Sequence, residues 1–205
     1  MARDTQSIVK MSRREGYALH PKAHKALAKR TTMPGQAQNY RSRAKTSQYS
    51  LQLREKQKVK RLYGLLEKQF SNLMKEATRR EGQSGSNLLQ FLEQRADNAV
   101  YRAGFAPSRR AARQLVTHGH FMLNGKRVDI PSIRMKAGDV LTLREHSTKN
   151  SYFKQLDDVS PAPSETPGWI KVDRKKVSVS ITGLPVRTDA EPDINEQLIV
   201  EYYSR

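Results

Sequence analysis

From Ser108 to Arg127 the sequence reads Ser-Arg-Arg-Ala-Ala-Arg-Gln-Leu-Val-Thr-His-Gly-His-Phe-Met-Leu-Asn-Gly-Lys-Arg. No other stretch is so dense in groups that could do chemistry, and the chemistry is anion recognition. A guanidinium is a planar fork of donors that matches two phosphate oxygens at once. On a helix, Arg109, Arg110 and Arg113 fall on or near one face, and Ala112, Leu115 and Val116 take the other. The first turn of such a helix also offers unpaired N–H donors to a phosphate. A turn at Asn124-Gly125 carries Lys126 and Arg127 to the same end of the element. A rigid helix and hairpin of this kind can fit an RNA groove by shape. A solvated basic face would look the same locally, and the charge of the whole chain decides against it.

That charge is +18, from 38 Lys and Arg against 20 Asp and Glu in 205 residues. Its natural partner is a phosphate polymer, because each neutralised phosphate releases a condensed counterion. Residues 1–60 carry 15 basic and 3 acidic side chains, residues 61–150 carry 16 and 8, and residues 151–205 carry 7 and 9. The excess therefore sits in the first three quarters of the chain. An anionic membrane would need a basic helix with a Trp- or Phe-rich face. Trp169 is the only Trp, and aromatic residues are scarce among the basic segments. The absence of cysteine excludes disulfides, thiolate metal sites and cysteine nucleophiles. No apolar run approaches membrane-spanning length, and the N-terminus lacks the apolar run of a secretory signal, so a cytoplasmic location is expected.

Three catalytic motifs fail on inspection. Gly119 to Lys126 is one residue too long for a P-loop, and Arg127 stands where Ser or Thr should bind magnesium. Arg95-Ala96-Asp97 has the form of the catalytic aspartate motif of pseudouridine synthases. Asp97 reads as mid-helix, however, and no segment of catalytic-domain size remains. Ser, His and Asp occur without a Gly-x-Ser-x-Gly elbow. An RNA-modifying enzyme would show turnover on structured RNA fragments, and a free regulatory RNA-binding protein would be absent from any stable ribonucleoprotein particle.

These residues need elements to position them. Residues 1–48 are basic with few apolar anchors, which predicts an irregular arm ordered only against its partner, with short helices possible from Pro21 to Lys29. From Ser50 to Arg80, apolar residues Val59, Leu62, Leu66, Phe70, Leu73 and Ala77 recur at helical spacing. Ser86 reads as the N-cap of a second helix that Gly104 stops, and Ser108 as the cap of a third that Gly119 stops. Phe121–Leu123 and Val128–Ile130 flank the Asn-Gly turn, which is a strong hairpin signal. Val140–Leu143, Trp169–Val172 and Val177–Ile181 read as strands. Asp157–Pro167 reads as a Pro- and Ser-rich loop, and Ile194–Tyr203 as a helix with Asp193 and Glu196 at capping-box spacing.

Leu92-Glu93-Gln94-Arg95, Val100-Tyr101-Arg102, Gly104-Phe105-Ala106, Ser108 and Ala112-Arg113-Gln114-Leu115-Val116 resemble the signature of the small ribosomal subunit protein 4 family. So do Ser12-Arg13-Arg14-Glu15-Gly16, Pro34-Gly35-Gln36, Gln52 to Lys58, Tyr63-Gly64, Asn124 to Arg127, Ile194 to Glu201 and Tyr203-Ser204-Arg205. The likeness runs nearly full length and is of the bacterial, cysteine-free type. Many relatives carry a four-cysteine zinc site in the arm. Val9 and Ser12 occupy its first positions here, leaving only His20 and His24, so neither a metal nor any other cofactor is expected. Ala96, Ala99 and Ala103 replace larger apolar residues, which implies either closer packing or a looser module.

The resemblance implies an α+β protein: a basic N-terminal arm (1–48), a helical lobe (49–90) closed by C-terminal strands and helix (168–205), and a helix-helix-hairpin RNA-binding module (91–156), with the loop at 157–167. It implies a structural, non-enzymatic protein of the small subunit that binds the 5′ domain of 16S-type rRNA at a multi-helix junction. It also implies contact with small-subunit protein 5 and with mRNA where the message enters, and no membrane or small-molecule substrate. Arg13, Arg14, Tyr49, Gln52, Arg54, Lys56, Lys58 and Arg61 are expected to form one part of the rRNA surface. Arg109, Arg110, Arg113, His118, Lys126 and Arg127 are expected to form the other. Arg41, Arg43 and Lys45 would lie in the basic loop that faces incoming mRNA.

Overall fold

A computed structural model describes residues 4–30, 32–35 and 47–204. In chain order the helices are α1 (Ile8–Glu15), α2 (Ala23–Lys29), α3 (Gln48–Leu62), α4 (Glu67–Arg79), α5 (Ser84–Glu93), α6 (Ala96–Arg102) and α7 (Arg109–Thr117). Strands β1 (Phe121–Leu123), β2 (Lys126–Val128) and β3 (Val140–Leu143) follow. The short helices α8 (Glu145–Thr148), α9 (Ser151–Lys154) and α10 (Leu156–Val159) come next, then β4 (Ile170–Asp173), β5 (Ser178–Ile181) and α11 (Glu196–Tyr203). The chain divides into two compact units, Met1–Asn87 with Asp193–Arg205, and Leu88–Pro192.

In the first unit, α1 packs on α2 and α3, and α11 packs along α3. The segment expected to be an irregular arm therefore carries two helices among its described residues: α2 falls where a short helix was expected, and α1 is an addition to that expectation. Met11, Leu19 and Ala23 are buried and give it an apolar core of its own. The Ser12 hydroxyl donates to the Ile8 carbonyl (2.8 Å) and accepts from the Leu19 N–H (3.3 Å), fastening α1 to the loop that follows. The helix expected from Ser50 to Arg80 is two helices. Gly64 has φ +65, its N–H donates to the Arg61 carbonyl, and the Leu65 N–H donates to the Lys60 carbonyl. This paired bonding satisfies the last carbonyls of α3 and stops it. Asn87, on α5, closes the end of α4 by donating from Nδ2 to the carbonyls of Ala77, Arg80 and Glu81. A Cβ at Gly85 would sit 2.7 Å from Glu196 Cγ, so only glycine lets α5 and α11 approach this closely. Ser86 lies inside α5 and caps nothing. The cap of α11 is Asn195, which accepts from the Leu198 N–H, and not the expected Asp193.

The second unit is built on a five-stranded antiparallel sheet in the order β2-β1-β3-β5-β4. Asn124 and Gly125 both have positive φ, as the two-residue hairpin turn requires. Register pairs Phe121 with Val128 and Leu143, and Leu141 with Val179. The expectation that β4 and β5 close the helical lobe is overturned. The β2-β1-β3 group leaves one edge of β3 open, and β5 hydrogen-bonds to it while burying Val179 and Ile181. From the C-terminal stretch only the residues from Asp193 onward belong to the first unit. The expected loop at Asp157–Pro167 begins within α10 and is tied down. Ser160 Oγ donates to the Gly104 carbonyl (2.9 Å), and Arg174 donates to both Asp157 and the Ser160 carbonyl. The helix expected to run to Gly104 breaks at Arg95, whose backbone is extended and bridges to Arg134. Ala96, Ala99 and Ala103 are fully buried in the core with Phe105, Phe121 and Trp169, so their small size marks close packing.

Candidate RNA-binding surface

Helix α7 begins at Ser108, whose hydroxyl accepts from the Ala111 N–H (3.3 Å), and buries Ala112, Leu115 and Val116. This is the amphipathic arrangement its sequence predicts. Its arginines do not share one fate. Arg109 Nε donates to Asn98 Oδ1 (3.0 Å), its Nη2 pairs with Glu191 (2.9 Å), and its guanidinium lies over the Tyr101 ring. Arg113 pairs with Asp97 at 3.3 Å. Burial pulls the Arg113 pKa down and the Asp97 charge opposes it. Both were expected to face outward, and both are instead drawn into a network of acids. Asp97 lies in the first turn of α6, not mid-helix, and is also held by Arg95 through two bonds of 3.0 and 2.8 Å. A carboxylate gripped by two guanidinium groups makes a poor nucleophile or base, which removes the catalytic reading of Arg95-Ala96-Asp97.

Arg110, His118, Lys126 and Arg127 are exposed. The Arg127 guanidinium lies directly over Gly119, where a Cβ would meet its Nε at 2.6 Å. Gly119 has φ +70. This single residue therefore ends α7 and lets the hairpin cation rest against that end, where the helix dipole favours positive charge. His120 is turned inward, with Nδ1 3.0 Å from the Ser147 hydroxyl. Burial, then the neighbouring His118, lowers its pKa.

In the first unit most of the expected contacts are spent internally. Gln52 is buried and donates to Glu201 (2.9 Å). Lys56 is 3% exposed, pairs with Glu67 at 2.8 Å, and sits 4.5 Å over the Tyr202 ring. Both were expected on the RNA surface, and both are buried, Lys56 against the aromatic rings of Tyr202 and Tyr203. Burial pushes the Glu67 carboxyl up, but hydrogen bonds from Lys56 and Lys60, the Lys60 charge and the Tyr203 hydroxyl outweigh it and hold the pKa at about 2. Lys58 donates to the Asp193 carbonyl (2.7 Å) and pairs with Glu55. Arg54 and Arg61 both pair with Glu15. Burial raises the Glu15 pKa, and the Arg54 and Arg61 charges oppose it. Arg13 donates to the Thr32 carbonyl. Arg14 and Tyr49 are exposed, and the Arg54 side chain is 37% exposed. Arg41, Arg43 and Lys45 fall outside the described residues.

Sequence reasoning passed over Lys10 on α1 and the exposed Lys175 and Lys176 between β4 and β5. The adjacent lysines were visible, but the acidic balance of residues 151–205 masked them. His20 Nδ1 accepts from the Lys22 N–H, and no cluster of three or more His, Asp or Glu suited to a metal occurs among the described residues. Nor is any helix among them long and apolar enough to cross a membrane.

A basic helix and hairpin on an α+β framework define a nucleic-acid-binding protein, and comparison with known families agrees. Residues 3–93 match the family described as ribosomal protein S4/S9 N-terminal domain, and residues 94–141 match the S4 domain. The chain is 50% identical to the small ribosomal subunit protein uS4 of Pelodictyon phaeoclathratiforme, with all of both chains covered. It is 48% identical to that of Chlorobium limicola and 46% identical to that of Clostridioides difficile, again over the whole of each chain. The chain belongs to the uS4 family of small ribosomal subunit proteins, a family of structural proteins and not of enzymes.

Proposed function

We propose that this chain is a structural constituent of the small ribosomal subunit that binds 16S-type rRNA early and nucleates assembly of its 5′ domain at a multi-helix junction. On this reading it contacts small-subunit protein 5, lies near the channel through which mRNA enters, and contributes with protein 5 to translational accuracy. The observation that carries the reading is full-length identity of about half to relatives named uS4. The exposed Arg110, His118, Lys126 and Arg127, with Arg14, Tyr49 and Arg54, are the side chains offered to RNA. Arg13, Lys58, Arg61, Arg109 and Arg113 shape that surface through their internal partners, and Gln52 and Lys56 lie beneath it. Arg41, Arg43 and Lys45 are assigned to the path of mRNA.

The test is binding to a folded 5′-domain junction against a scrambled RNA of equal length. Specific binding is expected, with affinity falling by about 10³–10⁵ between 50 and 200 mM salt if roughly six to ten phosphates are contacted. Equal affinity for the two RNAs would reduce the protein to a generic polyanion binder. Loss of the protein from small subunits during a high-salt wash would count against a structural role.

A further inference from the structure

Alongside α1 lies a cavity of about 340 Å³ lined by Gln6, Ser7, Lys10, Met11, Arg14 and Arg61. Positions 7, 10, 11 and 14 are spaced by three, four and seven residues, so they form one stripe of the helix. Met11 is 3% exposed and gives the cavity an apolar lining, while Lys10 and Arg14 line it as exposed cations. Arg61 enters from the last turn of α3. Its guanidinium is fixed by Glu15, which uses few of its donors and so presets the rest. The Glu15 side chain is itself 1% exposed, and it pairs with both Arg54 and Arg61. Lys10 and Arg14 take no hydrogen bond or ion pair among the described residues. Ser7 makes no side-chain cap bond, and the first turn of α1 has no acidic residue. Three cations line a concave space, and among the described residues Lys10 and Arg14 have no close acidic partner there, Arg14 acting on Glu15 through its charge alone; α3 pairs its own lysines and arginines directly.

We propose that this cavity seats one sugar-phosphate unit of an RNA strand, with Lys10, Arg14 and Arg61 around the phosphate and the ribose against Met11. Three cationic side chains lining one space offer more donors than the two oxygens of a carboxylate can accept well, and suit a phosphate with its several oxygens better. The space exceeds a bare phosphate and lies near the lower bound of sites for small organic groups, roughly 300–1,000 Å³. Lys10 thereby becomes an RNA-binding residue, and Glu15 a positioning residue that aims Arg61. The proposal rests on the RNA-binding reading above and adds a defined seat to it.

The experiment compares the full-length protein with Lys10→Ala/Arg14→Ala and with Lys10→Gln, measuring affinity for a folded 5′-domain RNA across a salt series. Neither residue holds an internal contact, so melting temperature should not move, and it is recorded for each variant. One lost phosphate contact should lower the slope of log affinity against log salt by about 1 and weaken binding roughly tenfold at low salt. A smaller decrease of the same sign is expected for Lys10→Gln. Unchanged slope and affinity in the double variant would overturn the proposal. A parallel titration with adenosine monophosphate, followed by NMR, separates the two sources of a sugar-phosphate. Shifts at Ser7, Lys10 and Arg14 with nucleotide alone, and no change in RNA binding, would make it a nucleotide pocket and also overturn the proposal. If the wild-type protein fails to distinguish folded from scrambled RNA, the assembly role fails, while a lowered salt slope still supports the seat.

Discussion

Helix α3 and the β1–β2 hairpin are both rich in cations, yet they use them in opposite ways. On α3, Arg54, Lys56, Lys58, Lys60 and Arg61 each reach an acid of the same unit. At the hairpin, Lys126 and Arg127 stay exposed, one of them resting on a glycine. The difference follows from packing. A helix covered by α1 and α11 must pair any charge it draws inward, because an unpaired buried charge is very costly. A two-residue turn at the end of an edge strand has no wall against which to bury its flanking side chains. Positive charge counted along the sequence thus overstates the surface available to RNA, and α3 is where the excess is greatest.

The largest test of this contrast is Lys56→Ala. Removing it takes one of three partners from the half-exposed Glu67, leaving Lys60 and Tyr203, and empties the space over Tyr202, which should cost about 1–3 kcal/mol in stability from urea unfolding. RNA affinity of the folded fraction should stay the same. A normal midpoint with weakened RNA binding would invert the assignment of α3. Next in size is Arg113→Ala, which should lose about 1–3 kcal/mol because a buried bond to a charged partner is broken. Arg110→Ala, about one turn away and exposed, should cost clearly less, and equal stability losses in the two would refute the division drawn within α7.

A smaller effect, and one of a different kind, is expected for Lys126→Ala with Arg127→Ala. Stability should stay within about 0.5 kcal/mol of the parent, as for ordinary surface changes. The salt slope of RNA binding should fall by about 2 for two lost phosphate contacts. An unaltered slope would mean that the hairpin cations are merely solvated. The gentlest probe is acid. Glu67 is held at about 2, below its ordinary 4.5, so its stabilising contribution is complete above about pH 4.5 and disappears as pH falls through about 2. The stability gap between the parent and Lys56→Ala should therefore narrow over that range, whereas the hairpin double variant should track the parent at every pH. A gap that stays constant into acid would show that the Lys56 to Glu67 pair contributes nothing.

The hairpin, the cap at Ser108, the stop at Gly119 and the strands after Gly138 were readable because each depends on residues within a few positions of one another. The break at Gly64 was not, because the apolar spacing from Val59 and Leu62 to Leu66 and Phe70 continues across it in phase. The α1 helix was hidden for a related reason. Its anchors, Met11, Leu19 and Ala23, are sparse, and its strongest tie is Glu15 reaching Arg61 across 46 residues. Among the site residues, the types were read correctly as cations, but their partners were not visible. Glu191 lies 82 residues from Arg109, and nothing in a one-dimensional pattern joins them. The same blindness placed β4 and β5 with the helical lobe, since the edge of β3 that they extend exists only after the hairpin has formed.

The first unit is sewn together from both ends of the chain. Gln52 meets Glu201 across 149 positions, Glu55 meets the backbone of Asn195 across 140, and Lys58 meets Asp193 across 135. On a translating ribosome, Leu88–Pro192 is continuous and has all its strands before α11 exists. Helix α3, by contrast, must wait with its inner face uncovered until α11 has been made. The closing entropy of so long a loop grows only logarithmically, so the equilibrium penalty is slight and the delay is chiefly kinetic. In that interval the α3 cations can already pair with Glu15, Glu55 and Glu67, and what α3 lacks is the cover of α11, which brings Glu201 to Gln52 and the Tyr202 ring to Lys56.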